Sequence, residues 1–125
     1  MGLQGIRILV IEDADEIRDL FTALLRAEGA LVAATGSGLE GAELARRHDF
    51  DVVLSDLGLP DMPGEAVIRQ IRSTSRRPRV LVITGHGEPF LTRPRQAGAD
   101  VVLTKPVDWA RIFEHLQPPG FAAAA

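Results

Sequence analysis

The chain has no cysteine and no tyrosine, a single tryptophan, and only one lysine, Lys105, among its fourteen basic residues. Without cysteine, neither a disulfide framework nor a thiolate metal site can form. No apolar run approaches the roughly 18 residues that a membrane-crossing helix needs. The first residues, Met1 to Arg7, lack the charged-then-apolar order of a signal peptide, so a cytoplasmic protein is expected. An excess of positive charge is also missing. The net charge of −3 argues against a direct nucleic-acid surface, which needs clustered basic side chains to neutralise phosphates. Arg76, Arg77 and Arg79 form the densest basic run, but Pro78 interrupts it and it reads as a solvated loop.

What remains is an ordinary globular composition, 46% apolar and 25% charged over 125 residues. One domain of this size buries roughly two-thirds of its unfolded surface. We assign it to residues 1–117. Residues 118–125, Pro-Pro-Gly-Phe and four alanines, read as a linker or a trimmed tail.

Five short apolar runs punctuate the domain, at residues 6–11, 30–35, 52–55, 80–83 and 101–103. Between them, apolar residues recur at helical spacing. Ile17, Leu20, Phe21, Leu24 and Leu25 predict a first helix that stops near Gly29. Ser37 and Glu40 offer a capping box for a second, running to about His48. Val67, Ile68 and Ile71 mark a third. Asp108 caps a last helix carrying Trp109, Ile112, Phe113 and Leu116. The helix before the fifth strand contains Pro94 and is expected to be short, displaced or broken. Strands that are apolar throughout are buried on both faces, as in a parallel sheet. The prediction is an α/β fold, a doubly wound three-layer sandwich, in which ligands gather beyond the carboxyl ends of the strands.

At those ends stand Glu12 and Asp13 after the first strand, Asp56 after the third, Thr84 after the fourth and Lys105 after the fifth. Three carboxylates in one pocket require a counter-charge. Lys105 supplies one unit, and an all-oxygen donor set suits Mg²⁺ with retained waters and phosphate oxygens. Carboxylate, hydroxyl, ammonium and Mg²⁺ together suit a transferring phosphoryl group, with an aspartate as nucleophile. An ammonium, compact and on a flexible stem, can pair with a carboxylate and then move to a phosphoryl oxygen, which a planar guanidinium does less well. Pro106 is a candidate for a cis bond that fixes this loop.

These residues, and the run Asp56-Leu57-Gly58-Leu59-Pro60-Asp61-Met62-Pro63-Gly64, resemble the receiver domain of response regulators, with its D-x-x-x-P-x-x-x-G loop. The resemblance spans residues 6 to about 117. It implies a flavodoxin-like strand order 2-1-3-4-5 and Mg²⁺-dependent phosphorylation of Asp56. The donor would be a histidine on a sensor kinase or phosphotransfer protein. It also implies Glu12, Asp13, Asp56 and the Gly58 carbonyl as metal ligands, with Thr84 and Lys105 contacting the phosphoryl group. The domain would catalyse its own phosphorylation and dephosphorylation and would not be an enzyme in the ordinary sense. Three departures stand out. Gly58 has no side chain where the family usually carries one over the phosphate. Val102 occupies the place of a switching aromatic, and Pro94 disturbs the helix next to it. A small or atypical response on the face of the last two helices is therefore expected.

Rival readings start from other residues. Gly36-Ser37-Gly38-Leu39-Glu40-Gly41 is a literal G-x-G-x-x-G, the dinucleotide-binding pattern, with the alternative of a glycine-rich turn before a capped helix. Asp13-Ala14-Asp15 is similar to the aspartate pair of haloacid-dehalogenase-type phosphatases, although a simple helix cap is preferred for Asp15. A receiver-like fold used only for docking is the remaining alternative. His48, His86 and His115 lack metal-ligand spacing and are expected on the surface.

Overall fold

The computed structural model describes residues 2–56, 59, 61–74, 77–85 and 92–116. The elements alternate without exception: β1 (Arg7–Ile11), α1 (Asp15–Ala27), β2 (Leu31–Thr35), α2 (Gly38–Arg47), β3 (Val52–Asp56), α3 (Gly64–Arg72), β4 (Arg79–Thr84), α4 (Thr92–Ala97), β5 (Val101–Thr104) and α5 (Trp109–Leu116). All four strand pairs are parallel and the order is β2-β1-β3-β4-β5, as expected. The residues assigned to a tail, 118–125, lie outside the described residues.

Apart from that of β2, the apolar runs form strands that are buried on both pleat faces. On one face Ile8, Val10, Val52, Leu54, Leu81, Ile83 and Leu103 pack with Leu25, Ile112 and Leu116 from α1 and α5. On the other, Leu9, Ile11, Val53, Val80, Val82 and Val102 pack with Val67, Ile68, Ile71 and Ala97 from α3 and α4. Side chains alternate along a strand, so one continuous run serves both cores. β2 is at the sheet edge and is only half-buried, which explains its weaker apolar signal.

Helix ends follow the sequence with two corrections. The Ser37 hydroxyl accepts from the Glu40 N–H at 3.0 Å, but the Ser37 N–H donates to Thr35 Oγ1 at 3.1 Å, so only half of the expected capping box forms. Asp15 caps nothing. It begins α1, where a negative charge suits the helix dipole, and pairs with Arg18 at 2.6 Å. Asp108 does cap α5, accepting from the Arg111 N–H at 2.9 Å. The α1 stripe is narrower than its spacing suggested: Leu25 is buried, Phe21 and Leu24 partly so, while Ile17 and Leu20 are exposed. α4 is short, six residues, and Pro94 falls in its first turn, where the missing N–H needs no helical partner.

The three glycines of the G-x-G-x-x-G pattern each permit a close approach by protein. A Cβ at Gly36 would meet Arg18 Nη1 at 2.8 Å, one at Gly38 would meet Met62 Cγ at 2.8 Å, and one at Gly41 would meet Ile11 Cδ1 at 2.5 Å. The space a dinucleotide pyrophosphate would take is filled by side chains. The motif also follows the edge strand, away from the point where strand order reverses between β1 and β3. Both facts exclude the dinucleotide reading.

Candidate functional site

Pleat parity aims the site. Glu12 continues the series Ile8, Val10, and Asp56 continues Val52, Leu54, so both carboxylates emerge on the α1–α5 side just past the ends of adjacent strands. The Glu12 N–H donates to the Thr35 carbonyl at 2.9 Å, extending the ladder one residue beyond β1. Asp13 turns outward to solvent. Carboxylate oxygens of Glu12, Asp13 and Asp56 all lie within 4.8 Å of one another.

Each pair of like charges at that separation repels by about 3 kcal/mol at an effective dielectric near 20. The molecule responds at Glu12, which is 4% exposed. Burial, followed by the nearby Asp56 charge, pushes its carboxyl up to about 7, although the Ala14 N–H, donating at 3.3 Å, opposes this. Lys105 compensates from the other side. Its Nζ is 3.4 Å from Asp56 Oδ2. The Lys105–Pro106 peptide is cis, in line with the sequence reading.

Thr84 is buried at the end of β4, and its carbonyl accepts from the Lys105 N–H at 2.8 Å. Its parity is that of Val80 and Val82, on the α3–α4 side, so it flanks the site from the opposite face to Glu12 and Asp56. Beneath the carboxylates is a cavity of about 30 Å³ floored by Ile17, Phe21, Leu54 and Ile83. Phe21 stacks on Trp109, with ring centres 6.4 Å apart, which ties the cavity wall to the core side of α5.

The structure therefore gathers Glu12, Asp13, Asp56 and Lys105 tightly and sets Thr84 at their flank. Gly58 and His86 fall outside the described residues. His48 is exposed and His115 half-buried. Asp15 points to Arg18 and takes no part in the acidic cluster, which removes the phosphatase-type aspartate pair.

Two supporting residues escaped the sequence reading. Arg18 donates from Nη1 to the Glu12 carbonyl at 2.9 Å and so braces the acidic turn. Its spacing of three from Asp15 was the only available signal. Asp61 accepts from Ser37 and from two backbone N–H groups of α2, partners 22 to 24 residues upstream that no local pattern reveals.

The response regulator receiver domain, as a sequence family, matches residues 8–117. The chain belongs to this family. It is 37% identical over 101 residues to the cell cycle response regulator CtrA of Brucella ovis, covering 80% of this chain and 44% of that protein. The chain thus spans less than half the length of the curated relatives it matches. Among solved structures, the receiver domain of the sensor histidine kinase PA1611 from Pseudomonas aeruginosa superimposes with a TM-score of 0.83 at 28% identity, covering 90% of this chain and 95% of that one; it has a magnesium ion in its active-site cleft. A response regulator from Burkholderia pseudomallei, carrying a phosphorylated aspartic acid and a calcium ion, gives 0.82 at 25% identity, covering 95% of this chain and 70% of that one. As a receiver domain, this chain is a component of two-component phosphorelay signalling. No helix among its described residues is long and apolar enough to cross a membrane.

Proposed function

We propose that Asp56 is the phosphoacceptor and that a phosphohistidine on a sensor kinase or a phosphotransfer protein, in the cytoplasm, is the donor. One Asp56 oxygen forms a bond to phosphorus as the phosphorus–nitrogen bond of the donor breaks, and that bond's electron pair stays on the imidazole nitrogen. Asp56 is partly buried yet reachable, with 16% of its side chain exposed, so an incoming phosphoryl group can meet it. The Lys105 ammonium, now 3.4 Å from Asp56 Oδ2, moves to a phosphoryl oxygen as charge leaves the carboxylate. Thr84, at the flank, offers its hydroxyl to another.

The donor set fits a hard divalent cation, because its members are all carboxylates and their oxygens converge within 4.8 Å. Glu12, Asp13 and Asp56 would hold Mg²⁺, with the Gly58 carbonyl as a further ligand by family resemblance. The ion would supply neutralisation of the phosphoryl oxygens. The magnesium in the PA1611 receiver supports this assignment.

The observation that carries the reading is the convergence of three carboxylates with the chain's only lysine at one sheet edge. Mass spectrometry after incubation with phosphoramidate and Mg²⁺ tests it. The wild-type chain is expected to gain one phosphoryl group and Asp56→Asn none; no gain in the wild type, or an equal gain in the variant, would overturn it. Self-catalysed dephosphorylation is followed in the same assay by the decay of the added mass.

A further inference from the structure

We propose that Asp61 is a positioning residue for phosphoryl transfer: its carboxylate fastens the segment following Asp56 to the N-terminus of α2, and through it to the strand end that carries Glu12. The inference rests on Asp56 being the phosphoacceptor.

Asp61 Oδ2 accepts from Ser37 Oγ at 2.7 Å and from the Leu39 N–H at 2.9 Å, while Oδ1 accepts from the Gly38 N–H at 2.8 Å. Ser37 Oγ in turn accepts from the Glu40 N–H. With the Ser37 N–H on Thr35 Oγ1, all four N–H groups that this helix start leaves without helical partners are satisfied, two of them by Asp61 from a different loop. These donors, the Leu39 N–H first, hold the Asp61 carboxyl down at about 2.

The contact continues toward the site. The Ser37 N–H donates to Thr35 Oγ1 at 3.1 Å, and the Thr35 carbonyl accepts from the Glu12 N–H at 2.9 Å. One hydrogen-bonded path therefore joins Asp61, Ser37, Thr35 and Glu12. Apolar packing runs beside it, because Gly38 lets Met62, Val67 and Leu59 approach within 3.2 Å of where a Cβ would stand. Asp56 ends β3 and Asp61 is held on the start of α2. Glu12, Asp13 and Asp56 repel one another, and a tie between the Glu12 strand end and the segment after Asp56 opposes their separation. Without it the carboxylates spread and the metal-binding geometry loosens.

The test uses the full chain with Asp61→Ala and Asp61→Asn. Mg²⁺ affinity is measured by calorimetric titration with MgCl₂, and phosphorylation by phosphoramidate kinetics at saturating Mg²⁺. All variants are compared well below their melting temperatures, with far-UV circular dichroism as the fold check. Asp61→Ala is expected to weaken Mg²⁺ binding about tenfold, the scale seen when groups that orient metal ligands are removed, and to slow phosphorylation. Asp61→Asn, which keeps one acceptor oxygen and the shape, is expected to fall between and carries the test if Asp61→Ala does not fold. Wild-type Mg²⁺ affinity and phosphorylation rate in the variants, even with a lowered Tm, would overturn the proposal and leave Asp61 a stabilising cap. A wild-type chain that takes no phosphoryl group would remove the parent reading, and this one with it, before any variant is compared.

Discussion

In the metal-free protein, stability should fall as pH rises from about 4.5 to about 7, and Glu12 should be the cause. Its carboxyl is raised from an ordinary value of 4.5 to about 7 by burial and by Asp56. Between those values the folded chain holds a proton that the unfolded chain has released. Stability therefore declines with rising pH, by up to about 1.4 kcal/mol per unit in mid-window. Across the whole interval the loss reaches at most about 3 kcal/mol, a large share of a typical domain's stability. Urea denaturation in EDTA, at half-unit steps from pH 4.5 to 8, measures it. Glu12→Gln mimics the protonated carboxyl and isolates the effect from other titrating groups. The gap between wild type and variant should close or reverse by about 3 kcal/mol toward alkaline pH. Millimolar Mg²⁺, which favours the carboxylate, should recover the wild type at pH 8 and leave the variant where it was. A wild-type minus variant difference that stays level across the window would refute the argument that Glu12 is the group absorbing the repulsion.

Gly41→Ala should lower stability by about 1–3 kcal/mol in thermal or urea unfolding, because the added Cβ would sit 2.5 Å from buried Ile11 Cδ1. Lys105→Arg should leave stability within about 1 kcal/mol, since the ion pair is partly exposed at 3.4 Å, yet slow phosphorylation by phosphoramidate; a wild-type rate would show that a guanidinium serves as well. Gly58→Asn should lengthen the aspartyl-phosphate half-life by restoring a side chain over the phosphate, and an unchanged half-life in the mass-spectrometric decay assay would remove that role for Gly58.

Val102, in the place expected of a switching aromatic, is packed into the sheet. Val102 is 7% exposed and lies among Val80, Val82 and Ala97, against the α4 side of the sheet. Position 102 itself therefore has no aromatic ring to move with Thr84. The aromatic contacts that do border the site run the other way, from Phe21 in the cavity wall to Trp109 and Phe113 on α5.

Much of this architecture was legible in the residues alone. Runs such as Ile8 to Ile11 and Val52 to Leu54 are apolar at every position, and only a strand covered on both faces uses them all. That requirement leads to a parallel sheet and to a functional edge at the strand ends, so Glu12, Asp13, Asp56, Thr84 and Lys105 could be named before any coordinates. Local order also specified the Asp108 cap, the short helix at Pro94 and the third-strand terminus that presents Asp56.

Tertiary structure alone decided which charge yields and what holds the site together. Glu12 and Asp13 are neighbours in sequence, but pleat and burial make one a buried carboxyl pushed up to about 7 and turn the other to solvent. The three glycines at 36, 38 and 41 imitate a nucleotide motif until the side chains that fill their missing Cβ positions are seen. Asp61 looked like one more loop acid, because its partners arrive from α2 across the sheet edge. Hydropathy and spacing carry information about which face of an element is buried. Desolvation, repulsion between distant carboxylates and long-range hydrogen bonds depend on distances that exist only after the chain has folded.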